Sequence, residues 1–171
     1  PSSGWNVFAQ SGYTNAYWDD QSYRAYGGSW SAWCADAGTQ AGTPGGNYPN
    51  NMRAWMIYGP FSLSGANDAN LQLACWIQSE SNYDKFNWLA SINGTNFYGY
   101  ETSGNSGGWG SVTFDLKNVP TIGNLTGQSQ VWIAFLFTSD GSNGGLGAFI
   151  DNIVLQKNQV TTAPDLEWTT M

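Results

Sequence analysis

Gly147-Ala148-Phe149-Ile150-Asp151-Asn152-Ile153-Val154-Leu155-Gln156-Lys157 reads as the last core strand of a β-sandwich. Side chains alternate between the two faces of a strand, so Phe149, Ile153 and Leu155 are expected on one face. By the same count Asp151 falls among them. A carboxylate between apolar neighbours needs a cation, a hydrogen-bond network or water to be tolerated. Asp151 is therefore either solvated where the strand leaves its sheet or a ligand of a structural metal ion.

Upstream of this stretch the chain is a succession of short strands separated by Gly, Asn, Ser and Pro, with no amphipathic helical pattern. Residues 71–78 alternate most cleanly. Leu71, Leu73, Cys75 and Ile77 point one way and Gln72, Ala74, Trp76 and Gln78 the other, as in a half-buried antiparallel strand. Residues 5–9, 29–35, 53–63, 85–92, 110–116 and 131–137 read as further strands, and Asn93-Gly94 signals a hairpin whose return strand begins near Phe97. Pro60 cannot donate to a ladder, so Gly59-Pro60 marks an edge, a bulge or a crossing between sheets. Residues 13–26 mix aromatic and polar side chains and read as an irregular segment over a core edge. Residues 36–51 form a loop long enough to be functional or mobile. About eight strands without helices predict an all-β, antiparallel two-sheet sandwich of jelly-roll type.

A chain of 171 residues is most simply one domain. Only 10% of its residues are charged, the net charge is −7, and the five basic residues Arg24, Arg53, Lys85, Lys117 and Lys157 are scattered. No basic footprint exists for a phosphate backbone or an anionic lipid surface, which argues against nucleic acid as a partner. No apolar run is long enough for a spanning helix, so membrane insertion is not expected. The absence of histidine removes the Ser-His-Asp constellation and the commonest nitrogen ligand of zinc. Cys34 and Cys75 are either joined as a disulfide in an oxidising compartment or two buried thiols. The chain starts at Pro1 without an initiating Met and reads as a processed product or a segment of something longer.

Several motifs occur in an order that carries a resemblance. They are residues 28–34 (GSWSAWC), residues 51–64 (NMRAWMIYGPFSLS), residues 76–84 with Ser79-Glu80-Ser81-Asn82-Tyr83-Asp84, residues 130–135 (QVWIAF), and residues 147–153. Together, over residues 4–157, the chain resembles the MAM-like jelly-roll domains that accompany immune-inhibitor-A-type metalloproteases and bacterial cleaved-adhesin proteins. These are similar in fold to jelly-roll carbohydrate-binding modules. The resemblance implies a non-catalytic domain, secreted or at a bacterial cell surface. It also implies a structural Ca²⁺ held by the Asp of the last strand, matched here by Asp151, together with an acidic residue near the domain start. That second residue has no counterpart, because only Pro1-Ser2-Ser3 precede Gly4-Trp5, and the domain's first strand is expected to be missing. Residues 1–157 are thus expected to form the sandwich. Residues 158–171 form a linker whose Ala163-Pro164-Asp165-Leu166-Glu167-Trp168 looks like the first strand of a following β-sandwich repeat.

The function expected is adhesion, or binding of a glycan or cell-surface ligand through exposed aromatics. Tyr17, Trp18, Tyr98, Tyr100 and Trp109 are the candidates, because they lie in Gly- and Asn-rich surroundings. Aromatic faces stack on the C–H faces of sugar rings while Asn, Gln and Asp bond the hydroxyls. An alternative is a structural subunit of an extracellular assembly or filament, with other copies as partners joined by strand complementation. A third reading, glycoside hydrolysis, needs two carboxylates across a cleft and offers Glu80, Asp84 and Glu101.

Overall fold

The computed structural model describes residues 4–159, and among these there is no helix. The strands are β1 (Trp5–Ala9), β2 (Tyr17–Gln21), β3 (Ser31–Ala37), β4 (Arg53–Phe61), β5 (Ala66–Gln78), β6 (Lys85–Ser91), β7 (Tyr98–Thr102), β8 (Gly110–Asp115), β9 (Val131–Thr138) and β10 (Gly147–Gln159). They form two five-stranded antiparallel sheets, ordered β1-β4-β9-β6-β7 and β2-β3-β10-β5-β8, stacked as a jelly-roll sandwich. The expected fold class is therefore found, with more strands than the sequence suggested. One that was missed is β2, read as irregular. Its Tyr17-Trp18-Asp19-Asp20-Gln21 sends only Trp18 deep into the core, and its register shifts between Tyr17 and Asp19, so no alternation is visible.

The core lies between the inner faces. Ile133, Phe135 and Phe137 of β9 and Phe86 of β6 meet Leu71 of β5, Phe114 of β8 and Ile150 of β10, all essentially inaccessible to water. Burial of this apolar surface is the main stabilising term, at about 25 cal/mol per Å² removed from water. β9 is apolar on both faces because its outer side is covered too. Ala134 and Leu136 pack with Leu89, Trp55, Ile57 and Phe97. At Gly59-Pro60 the pairing of β4 with β9 shifts register between Tyr58 and Phe61, a bulge of the kind proline dictates.

β10 departs from the simple alternation. Asp151 stands opposite Ala74 and Val154 opposite Gln72, so three steps along β10 match two along β5. Asn152 absorbs the extra residue at φ 47°, a left-handed conformation that Asn tolerates. One inserted residue exchanges the two faces of everything after it. Phe149, opposite Trp33 and Trp76, and Asp151 therefore project outward, while Leu155, opposite Leu71, points into the core and Ile153 packs against it. Asp151 does not share a face with Ile153 and Leu155, as uniform period-2 counting placed it.

Cys34 and Cys75 are free thiols, and the disulfide alternative is corrected. β10 runs between their strands, and two strand spacings separate them by roughly 10 Å, against the ~7 Å limit for a bridge. The Cys34 sulfur instead accepts the Ala148 N–H at 3.3 Å, and burial pushes the Cys34 thiol well above the usual thiol range and raises that of Cys75.

Candidate functional site

The outer face of the second sheet carries a band of aromatic side chains. Trp33 of β3, Phe149 of β10 and Trp76 of β5 lie side by side across three strands. The Trp33 and Phe149 rings are stacked at 5.7 Å, and Trp76 meets Phe149 edge-on at 5.8 Å. Residues 22–30, between β2 and β3, fold over this band. The Arg24 guanidinium lies 3.7 Å above the Trp76 ring, a cation–π contact, and Tyr23 sits 6.3 Å from Phe149. Residues 38–47 close the other side. A Cβ at Gly42 would come within 2.8 Å of the Trp33 ring, so only glycine allows that approach. The band is thus a second, small core rather than an open surface.

Asp151 fixes the covering loop. Its Oδ2 accepts the N–H groups of Tyr26 at 2.9 Å and Gly27 at 3.0 Å, and its Oδ1 accepts the N–H of Asn152 at 2.7 Å. The hydrogen-bond network that this carboxylate required is made of backbone donors. It holds Tyr26, 53% exposed, upright with its ring 5.6 Å from Trp109. Beside Tyr26 runs a groove of about 270 Å³ across β8, β5 and β10, floored by Ala74 and Val154 and edged by Gln72, Ser111, Thr113 and Asn152. These are short or amide-bearing polar groups without formal charge. An aromatic wall over uncharged hydrogen-bonding groups is chemistry that suits a neutral, hydroxyl-rich ligand.

None of the aromatics selected from the sequence lines this groove, and Trp109 comes near it only through its ring contact with Tyr26. Trp18 is 0% exposed and donates its indole N–H to the Ala54 carbonyl at 3.1 Å, so it is a core residue and its assignment to a binding surface is corrected. Tyr17 and Tyr98 are half-buried against the core. Tyr100, opposite Trp88 on the edge strand β7, packs edge-on against Phe114 at 5.8 Å and closes the side of the sandwich. Sequence reasoning passed over Tyr26 because only the long-range bond to Asp151 makes it a wall.

A separate polar cluster lies where three loops meet at one end of the sandwich. Oxygens of Glu80, Asp84 and Asp140 lie within 4.8 Å of one another and could hold a metal ion. Asp84 is 0% exposed. It accepts the Tyr48 hydroxyl proton on Oδ2 and the Asp140 N–H at 2.8 Å on Oδ1. Burial raises its carboxyl above the usual range, with the charges of Asp140 and Glu80 adding to the rise and the two hydrogen bonds opposing it. Glu80 Oε1 accepts from the Asn143 amide at 3.0 Å, while its Oε2 is buried without a hydrogen-bond partner. An all-oxygen, carboxylate-rich donor set with one orphaned oxygen fits a hard cation such as Ca²⁺. Asp151 does not belong to this cluster. Glu101, on the edge strand, pairs with Lys85 at 3.3 Å, and the groove beside Tyr26 is lined by none of the three carboxylates considered for glycoside hydrolysis.

No protein-family model matches the chain, and no curated protein matches it. Its fold is similar to solved structures. One is the K1 cleaved adhesin domain of Lys-gingipain from Porphyromonas gingivalis W83, with a TM-score of 0.61, 14% identity, and 92% of this chain and 93% of that one covered. Another is a family 11 carbohydrate-binding module from Clostridium thermocellum in complex with a β-1,3-1,4-mixed-linked tetrasaccharide (TM-score 0.54, 14% identity, 91% and 89% covered). A third is the module TmCBM61 in complex with β-1,4-galactotriose (TM-score 0.51, 14% identity, 91% and 90% covered). At this identity the likeness establishes the jelly-roll fold.

Proposed function

We propose that the protein is a non-catalytic extracellular module that binds neutral glycan chains in the groove beside Tyr26. The observation that carries this reading is the exposed Tyr26 ring, backed by Trp109, beside a groove lined by uncharged polar groups. A sugar ring stacks on the Tyr26 face, and Gln72, Asn152, Ser111 and Thr113 bond its hydroxyls. The saccharide complexes of two similarly folded modules support the choice of ligand class. The setting is secreted or at a bacterial cell surface, in a parent protein of the MAM-like, metalloprotease-associated kind that the motifs resemble. Affinity electrophoresis against mixed-linkage β-glucan, β-1,4-galactan and xylan, with Tyr26→Ala beside the parent, tests the reading. Retention of the parent and its loss in the variant are expected; equal migration of both on every glycan would overturn it.

The same reading includes a structural Ca²⁺ held by Glu80, Asp84 and Asp140 rather than by Asp151. The orphaned Glu80 oxygen supports it. The ion would neutralise three clustered carboxylates and tie the β5–β6 and β9–β10 connections together, without touching ligand.

A further inference from the structure

Past the Asn152 bulge, β10 parts from β3, which begins at Ser31 and accompanies it only at Phe149 and Ile150 among the described residues. A cleft of about 660 Å³ opens there between the two sheets, within the range of about 300–1,000 Å³ typical of small-molecule sites. Its floor is Met56, Ile133 and Ile150, each no more than 2% exposed. Trp5 and Tyr58, opposed across β1 and β4 with ring centroids 5.2 Å apart, form one wall. Ile153 and Leu155 of β10, with Ala32 of β3, form the other. The mouth is different in kind. Asp20 and Asn152 are exposed there, Trp30 is 57% exposed, and Asp151 stands half-buried beside them. Ser31 also lines the cleft, but its hydroxyl donates to the Arg24 carbonyl.

We propose that this cleft binds a small amphiphilic cation, its apolar body between the sheets and its ammonium head at the mouth. The floor offers no hydrogen-bonding side chain, so a sugar ring lowered onto it would leave hydroxyls buried and unbonded. An apolar body gives up only its contact with water. The sign of the head follows from the mouth. Asp20 and Asp151 are the charged residues of the lining, both acidic, in a chain of net charge −7. Their attraction for a cation is Coulombic and needs no vacant position on either carboxylate, so Asp151 keeps the three N–H groups it accepts. Trp30 adds an exposed ring face, a surface that complements an organic ammonium. An anionic head of the same shape meets two like charges instead. Asn152 borders both this cleft and the groove beside Tyr26, but neither the floor nor the carboxylates invoked here line that groove. This inference is therefore independent of the glycan reading.

Isoleucine methyl NMR on the full chain tests it, with octyltrimethylammonium, octanoate and octyl β-glucoside titrated separately, each below its micelle concentration and without glycan. Ile133, Ile150 and Ile153 line the cleft, whereas Ile57, Ile77, Ile92 and Ile122 do not and report any general effect. Octyltrimethylammonium should shift the first three methyls saturably and leave the other four in place. Octanoate should bind at least about tenfold more weakly, because its head carries the sign of the mouth. Asp20→Asn and Trp30→Ala alter exposed side chains and leave the floor intact, and each should weaken binding of the cation about two- to fivefold. No saturable shift at the three cleft methyls, or shifts spread over all seven, would overturn the proposal. So would a cation affinity unmoved by both substitutions, or octanoate or octyl β-glucoside binding as tightly as the cation, since the cleft would then be an apolar slot with no preference for charge.

Discussion

The Asp151 carboxylate accepts the Tyr26 backbone N–H at 2.9 Å, although 125 positions separate them in the chain. This bond, with its companion at Gly27, turns residues 25–30 into a shelf on the outer face of the second sheet.

Removing the shelf's anchor should be felt in binding before stability. Hydrogen bonds to a charged acceptor contribute about 1.5–3 kcal/mol each when shielded, and Asp151 is only half-buried, so Asp151→Ala is expected to cost about 1–3 kcal/mol in total. Glycan retention should fall with it as Tyr26 loses its fixed position. Denaturant melts and affinity electrophoresis on the same preparations check both. Full retention with a displaced loop would detach the shelf from the site.

Three aromatic substitutions separate surface from core. Trp18→Ala empties a fully buried site and should destabilise by about 3–5 kcal/mol. Tyr26→Ala and Trp109→Ala should each weaken glycan retention while Tyr26→Ala leaves the melting midpoint nearly unmoved. Because the proposed contacts are uncharged, raising the salt concentration should scarcely change affinity. Strong salt dependence would point to an anionic or cationic ligand instead.

Calcium and pH should act on the same three carboxylates. Thermal unfolding in excess Ca²⁺ should lie above that in chelator, since an ion that binds only the folded state stabilises it. The difference should vanish in Asp84→Asn. Without the ion, the raised carboxyl of Asp84 means that the folded state holds its proton more tightly than the unfolded chain. Its contribution to stability is present at low pH and is lost as pH rises through the folded value. Mild acidification in chelator should therefore raise the midpoint relative to Asp84→Asn, and Ca²⁺ should abolish that gain. Coincident curves with and without Ca²⁺ would remove the ion from the account.

The thiols offer a simple check on the second sheet's strand order. Neither should react with a disulfide reagent in the folded protein, and both should react in denaturant, because burial disfavours the thiolate. A reducing agent should leave the melting midpoint where it was.

Much of the sandwich was legible because β5, β6, β8 and β9 alternate or are apolar in ways that burial alone dictates. Leu71, Leu73 and Cys75 point inward as counted, and the doubly apolar β9 is central and covered on both faces. The site was harder to read, for a physical reason. The Asp151 anomaly was visible, but its solution depends on loop N–H donors, which carry no side-chain signature. Glu80 and Asp84 were noticed as carboxylates at strand ends, yet their meeting with Asp140 depends on which loops share one end of a sandwich. Trp18 and Tyr26 lie in the same polar-aromatic stretch, and only the pairing of β2 with β3 sends the first inward and leaves the second outside.

The extra residue at Asn152 makes β10 a strand with a change of phase. Before it, the outward Phe149 and Asp151 serve the aromatic band and the shelf; after it, the inward Ile153 and Leu155 line a cleft between the sheets. Two surfaces on opposite sides of one sheet are thereby set by the length of a single strand as much as by its composition. A substitution there alters one contact, whereas losing one residue between Asp151 and Val154 would invert a whole half of the strand and exchange the roles of the two surfaces.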